Sequence, residues 1–327
     1  MKKTNQKFES YFRSNSSYDS ITIFTPTYNR AKFLERIYDN LLRQTSKQFV
    51  WILVNDGSAD NTDEVATDLL SREGVPMLYI SKKNGGKHSA FEAAFSECKT
   101  KYFLCMDDDD KYINNAVERF LFIWNGVEKS SLSNIGAVRT LCQRTNGNIC
   151  SSPAVESDGS FYDRSTLEQN FVYNVIQENW TCYLTESLKQ VDLFPKNYWM
   201  SDKHTFFSEA IWQGRFARKF KCRYVNEVFS EYTDDAPVSI IRARRSKKHY
   251  LNMFLNSKIQ LDEQYDYISR NKISLFKSVC IVAILRSKLG ISQKELLNHT
   301  NNTKLKFLYS VLYPFAWLSP SPKILKD

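Results

Sequence analysis

Four consecutive carboxylates, Asp107-Asp108-Asp109-Asp110, directly follow the apolar run Tyr102-Phe103-Leu104-Cys105-Met106. Carboxylates this close repel and raise one another's pKa. Such a run is tolerated when it is fully solvated, when it sits at a helix N-terminus, or when a cation neutralises it. The structural reading makes it a cap for a helix that starts near Asn114. The chemical reading makes it a site for Mg²⁺ or Mn²⁺, which take carboxylate oxygens in octahedral geometry and keep positions open for substrate phosphates. Other groups able to do chemistry are scattered. His88 and His204 could serve a ligand or be ordinary polar positions.

The elements that must hold these residues read clearly over the first 125 positions. Ile21-Thr22-Ile23-Phe24 is β-rich, and Phe49 to Val54 is a continuous apolar run. Continuous apolarity marks a strand buried on both faces. Met77 to Ile80 and Tyr102 to Met106 give two more strands. Between them, Phe33, Leu34, Ile37, Tyr38, Leu41 and Leu42 recur with helical spacing, as do Val65, Ala66, Leu69 and Leu70, and then Ala90, Phe91, Ala94, Phe95 and Cys98. Strand and helix alternate four times, the signature of a mostly parallel α/β sheet with helices on both faces. Ligands of such sheets sit beyond the carboxyl ends of the strands. The four segments there, Thr25 to Arg30, Asn55 to Asp60, Ser81 to Lys87 and Asp107 to Lys111, are all polar. Beyond residue 125 the alternation loosens, with strand-like pieces at Ile135 to Val138 and Tyr224 to Val228. From about Ser246 the pattern is helical and basic.

The net charge of +9 is concentrated in that last quarter. Arg242 to Asp327 holds 16 Lys and Arg against 5 Asp and Glu, while the rest of the chain holds 29 against 31. An excess placed this way points to an anionic partner, either a membrane surface or a nucleic acid, or to a solvated basic face. The seven cysteines form no C-x-x-C pair and no Cys/His metal spacing, which fits reduced thiols in a cytosolic protein. No signal-peptide pattern opens the chain and no stretch reaches the length of a spanning helix, so a cytoplasmic location is expected. None of the first four loops contains G-x-G-x-x-G and no P-loop occurs, which argues against another nucleotide-using α/β enzyme such as a dehydrogenase, methyltransferase or nucleotidyltransferase.

Taken in order, the loop sequences resemble those of the family 2 glycosyltransferases of the GT-A fold, over roughly residues 20 to 235. Thr25-Pro26-Thr27-Tyr28-Asn29-Arg30 is similar to that family's opening loop, and Gln44-Thr45 and Val54 to Thr62 to its V-D-D-G-S-x-D-x-T segment. Asn84-Gly85-Gly86-Lys87-His88-Ser89-Ala90 resembles its third loop, and Met106 to Asp110 its D-x-D signature. One position departs: Asn55 stands where the family usually has Asp.

The resemblance implies a set of roles. Thr25, Pro26, Thr27, Tyr28, Asp56 and Gly57 would hold the nucleotide, commonly uridine, with Asp56 accepting from the base. Asn84, Gly86, Lys87 and His88 would form the third wall, and Arg30 and Lys87 would approach the diphosphate. Asp107 would face the ribose or the metal, Asp108 would line the same site, and Asp109 would coordinate Mn²⁺ or Mg²⁺. Phe207 to Trp212 resembles a segment that often reads P-E-G-x-x-W, which makes Glu209 the first choice of general base and Asp202 the second. Trp212 would stack on a sugar or fill a core. The implied activity is inverting, metal-assisted transfer of a sugar from a nucleotide-sugar donor to a glycan or lipid-linked acceptor, in surface-polysaccharide synthesis. The alternative is a non-catalytic nucleotide-sugar-binding or assembly protein derived from such an enzyme.

The expected organisation is a polar N-terminal tail at 1–19 and a GT-A domain at 20–240. Within that domain, 20–125 would bind donor and 126–240 acceptor, and 241–327 would be a basic, mostly helical extension. The extension's basic cluster and its aromatic residues Phe307 to Trp317 suit an anionic membrane interface, a partner contact or packing on the catalytic domain. No nucleic-acid motif is present, so none is expected as partner.

Overall fold

The structure is a computed structural model, and it describes residues 1–13, 18–130, 134–150, 161–175, 179–202, 205–232 and 246–312. Its strands are β1 (Lys2–Thr4), β2 (Ile21–Thr27), β3 (Phe49–Asn55), β4 (Met77–Ser81), β5 (Tyr102–Cys105), β6 (Lys111–Tyr112), β7 (Ile135–Arg144), β8 (Phe161–Arg164), β9 (Asn179–Leu184) and β10 (Lys221–Tyr232). Its helices are α1 (Gln6–Tyr11), α2 (Ala31–Leu42), α3 (Thr62–Ser71), α4 (Lys87–Ser96), α5 (Ala116–Lys129), α6 (Thr166–Phe171), α7 (Thr185–Lys189), α8 (Glu209–Lys219), α9 (Lys247–Ile268), α10 (Lys272–Leu289), α11 (Gln293–Asn298) and α12 (Thr303–Leu312).

All the strands join one sheet in the order β1-β4-β3-β2-β5-β9-β7-β10-β6, with β8 paired to β10. The four strands expected from the apolar runs, β4-β3-β2-β5, are parallel neighbours. The sheet as a whole is mixed α/β in character, because β9 runs antiparallel to both β5 and β7 while β10 runs parallel to β7. Every residue of β3 is buried, as its unbroken apolarity requires. Trp51, on β3, donates its indole N–H to the Thr25 hydroxyl at 3.0 Å, so its one polar atom is satisfied inside the core. Phe33, Leu34, Ile37, Tyr38 and Leu41 form the buried face of α2.

The first residues are not a tail. Lys2–Thr4 pairs antiparallel with the β4 edge, Asn5 caps α1 by accepting from the Phe8 N–H, and Phe8 is buried. Polar composition hid this because an edge strand needs only backbone hydrogen bonds and one anchoring ring.

The chain forms two compact units. The first is Met1–Ser165, Val175–Val191 and Lys219–Ala236, and it contains the whole sheet. The second is Thr166–Asn174, Asp192–Arg218 and Pro237–Asp327. The stretch 192–218 thus groups with the C-terminal helices, whereas the sequence reading drew its boundary at 240. The reason is a row of polar contacts between α8 and α9. Arg215 makes a bidentate pair with Glu263 at 2.8 and 2.7 Å, and Arg218 pairs with Asp266. Gly214 lets the Gln264 side chain lie against its backbone, within 2.0 Å of where a Cβ would stand. The second unit has its own core, built from Phe254, Leu255, Leu261, Val279, Val282, Leu285, Leu305 and Tyr309. Among the described residues no helix is long and apolar enough to cross a membrane.

Candidate active site

The carboxyl ends of β2, β3, β4 and β5 stand side by side, so the four polar segments that follow them share one edge of the sheet. The loop after β2 is fixed by its own asparagine. Asn29 takes a left-handed conformation (φ +54°), accepts from the Ala59 N–H at 2.7 Å, and receives the Ser58 hydroxyl as acceptor for its own N–H at 2.9 Å. Asp60 accepts from the Ala31 N–H at the start of α2. Loops one and two are thereby locked together before any ligand arrives.

Loop three is fastened to loop two by Asp56. This buried carboxylate accepts from Lys82 Nζ at 2.7 Å, from the Gly85 N–H at 3.0 Å and from the Gly86 N–H at 2.6 Å. Three of its roughly four acceptor positions are occupied. Gly57 (φ +81°) makes this approach possible, since a Cβ there would stand 2.6 Å from the Asn84 nitrogen. Gly86 (φ +86°) opens α4. Asn55, the departure from the family pattern, is buried as well. Its side chain accepts from the Ser58 N–H at 2.8 Å and donates to Asp63 at 3.2 Å and to the Tyr79 hydroxyl at 3.1 Å. Asp63 and Tyr79 are themselves hydrogen-bonded. Asn55 therefore stands where an aspartate would confront Asp63.

The acidic run follows β5. Thr27 donates its hydroxyl to Asp108 at 2.9 Å. Arg30 reaches Asp108 at 2.6 Å and Asp109 at 2.7 Å, and Lys87 reaches Asp107 at 2.6 Å. Arg36, one helical stretch beyond Arg30, donates to the Asp109 carbonyl at 2.8 Å. Burial pushes the Asp108 carboxyl up to about 6, although Arg30 and Thr27 pull it down. Asp110 goes further, to about 8, raised by burial and then by Asp107 and Asp109, and its Oδ1 is buried with no hydrogen-bond partner.

These residues do not cap a helix. β6 intervenes, and the N-cap of α5 is Asn115. Among the described residues no three carboxylate, histidine or cysteine side chains are gathered as a ready-made metal cluster. The donor set nonetheless suits a hard divalent cation. It offers oxygen ligands only, Arg30 and Lys87 are the cationic side chains that reach its carboxylates, and Asp110 retains an unsatisfied buried oxygen.

The remaining residues of the expected site stand as follows in the structure. Thr25 is fully buried and its hydroxyl serves Trp51, so it supports the first loop from beneath instead of facing a ligand. Thr27, two residues on and on the same face of the strand, gives its hydroxyl to Asp108 instead. Pro26 ends in the same strand, and Tyr28 is half exposed at the rim. Asn84 is exposed and contributes its backbone against Gly57. His88 lies in the first turn of α4, its pKa lowered by burial, with Asp56 and Lys82 close enough for their charges to act on it. Trp212 is buried, which settles it as a core residue rather than a sugar platform.

Glu209 and Asp202 belong to the second compact unit. Glu209 is the first residue of α8 and partly exposed. Asp202 is exposed and accepts from the Thr205 hydroxyl at 3.0 Å. His204, Arg242, Arg244, Arg245, Tyr313, Phe315, Trp317 and Leu318 lie outside the described residues. Lys82, Arg36 and Asp63 were missed by sequence reasoning. Lys82 had a signal, as a cation directly after a strand, whereas Arg36 and Asp63 look like ordinary exposed helix positions.

Comparison with known proteins agrees with this geometry. The glycosyl transferase family 2 model matches residues 22–130. An uncharacterized glycosyltransferase of Rickettsia prowazekii is 31% identical over 133 residues, 41% of either chain. The uncharacterized glycosyltransferase EpsJ of Bacillus subtilis is 27% identical over 231 residues, 70% of this chain and 57% of the relative. The chain thus spans about half the length of these relatives. Among solved structures, Staphylococcus aureus TarS residues 1–349, crystallised with UDP-GlcNAc, superposes with a TM-score of 0.55 at 17% identity, covering 91% of this chain and 86% of that one. Residues 22–130 thus match the glycosyl transferase family 2 model, and the chain shares its fold with TarS.

Proposed function

We propose that this chain transfers a sugar from a nucleotide-sugar donor, UDP-linked, to a hydroxyl of a glycan or lipid-linked acceptor in cell-surface polysaccharide synthesis. The transfer is an inverting single displacement, carried out in the cytoplasm at the inner face of the membrane. The observation that carries this reading is the convergence of four polar loops on one sheet edge, with an acidic run holding Arg30 and Lys87 beside the Asp56 cradle. TarS, which shares the fold, was crystallised with UDP-GlcNAc, and this supports a uridine nucleotide as the donor carrier.

Asp56 and the backbone of Gly57 and Gly86 shape the pocket for the base, with Tyr28 at its rim. The remaining acceptor position of Asp56 is available to a base N–H. Arg30 and Lys87 supply positive charge to the diphosphate. A bound Mn²⁺ or Mg²⁺, held by Asp107 and Asp109, would neutralise charge building on the leaving diphosphate. Thr27 and Arg30 keep Asp108 in place behind those ligands. Glu209 takes the proton from the acceptor hydroxyl as it attacks. Asp202 is the weaker choice because its carboxylate is engaged by Thr205. Asn55, the feature that would favour a non-catalytic relative, is accounted for by Asp63.

Nucleotide release from a panel of nucleotide sugars, measured with and without Mn²⁺, tests this. Metal-dependent release from a UDP-sugar is the expected result. Tight binding without turnover on any acceptor would favour a binding protein, and absence of both would overturn the reading.

A further inference from the structure

We propose that the outward faces of α10 and α12 dock on an anionic lipid bilayer. Both helices bury one side in the core of the second unit, through Val279, Val282 and Leu285 on α10 and Leu305 and Tyr309 on α12. Their other sides stay apolar. On α10, Ile273 is 68% and Phe276 59% exposed, and Ile281, eight residues beyond Ile273, is exposed as well. On α12, Phe307 is 68% exposed, and Val311, four residues on, shares its stripe with Lys304. Large side chains arranged in a stripe and left in water mark a surface that is covered in use.

Charge identifies what covers it. Neither helix contains an Asp or Glu, while Lys272 and Lys277 flank the α10 stripe and Lys304 and Lys306 the α12 stripe. The acids of the neighbouring helices are already engaged inside the unit. Asp262 holds Lys258, Glu263 holds Arg215, Asp266 holds Arg218, and Glu295 closes a capping box with Ser292. The four lysines form no ion pair among the described residues, so the faces are cationic as well as apolar. Lysines around exposed Phe and Ile are the composition of a helix lying in a bilayer interface. A second copy of the chain fits less well, since a symmetric contact through these faces would set like lysines against each other. Nucleic acid would engage the lysines and leave Phe276 and Phe307 in water.

The test is cosedimentation of the full chain with vesicles of phosphatidylcholine alone or mixed with phosphatidylglycerol. The changed positions are all surface positions, so unaltered melting temperatures confirm that the variants fold. Wild type should pellet with the anionic vesicles only, and less so as salt rises. K272E/K277E should weaken partitioning about 25-fold or more, at about fivefold for each lysine lost from an anionic surface. F276S/F307S should weaken it about tenfold or more. Equal pelleting with both lipids, or variants that pellet like wild type, would overturn the proposal. So would a lipid-free dimer that F276S/F307S dissolves, or duplex DNA binding that F276S/F307S leaves intact. UDP binding measured on the same samples separates failure here from failure of the donor-site reading, because none of the changed positions is among the residues read as holding UDP.

Discussion

At the scale of single residues, the site is dominated by burial working against charge. Asp108 is nearly inaccessible, and Arg30 and Thr27 are what keep it ionised near neutrality. Arg30→Ala should therefore strand a buried carboxylate and cost about 1–3 kcal/mol, read from urea unfolding at neutral pH. A change below about 0.5 kcal/mol would mean that solvent already satisfies Asp108. His88 gives a signed pH effect. Burial lowers its pKa in the folded chain, so below the usual value of about 6.5 the unfolded chain takes up a proton that the folded chain resists. Stability should fall as pH drops through that region, and His88→Gln should flatten the fall. An unchanged pH profile in the variant would show that His88 is solvated. Of the residues here, the acids were legible because four in a row demand an explanation. Thr25 was not, because nothing in its own strand's composition says that its hydroxyl meets the Trp51 indole of the neighbouring strand.

At the scale of elements, loops one to three form a preassembled frame. Gly57 carries the closest approach in it, and both its positive φ and the 2.6 Å clearance exclude a side chain. Gly57→Ala should cost about 1–3 kcal/mol and weaken nucleotide binding in parallel, as thermal melting with and without UDP would record. Asn55→Asp should also destabilise, by placing a second carboxylate against Asp63, and Asp63→Asn should rescue it. Additive losses in that pair would show that the two side chains do not interact. The parallel strands β2 to β5 were legible because burial on both faces leaves an unbroken apolar run. The order β9-β7-β10-β6 was not, since pairing between strands far apart in sequence depends on partners that no local window contains. β1 and the two-residue β6 were likewise hidden, being held mainly by backbone bonds.

At the scale of the molecule, charge and architecture divide the labour. The first compact unit carries the sheet and the four polar loops at its edge, and the second carries Glu209 and the C-terminal helices. The +9 net charge read from the sequence thus has a structural address, though the boundary drawn at 240 missed 192–218, which the Arg215–Glu263 and Arg218–Asp266 pairs tie to α9. In the proposed function the acidic run acts with a divalent ion to hold a diphosphate. Calorimetric titration of UDP into wild type and Asp109→Ala, each with and without Mn²⁺, addresses that claim most directly. Wild type should bind UDP far more tightly with Mn²⁺. The variant should lose that gain by more than the roughly tenfold that changes outside the ligand shell typically cause. Equal affinities in all four titrations would contradict the account.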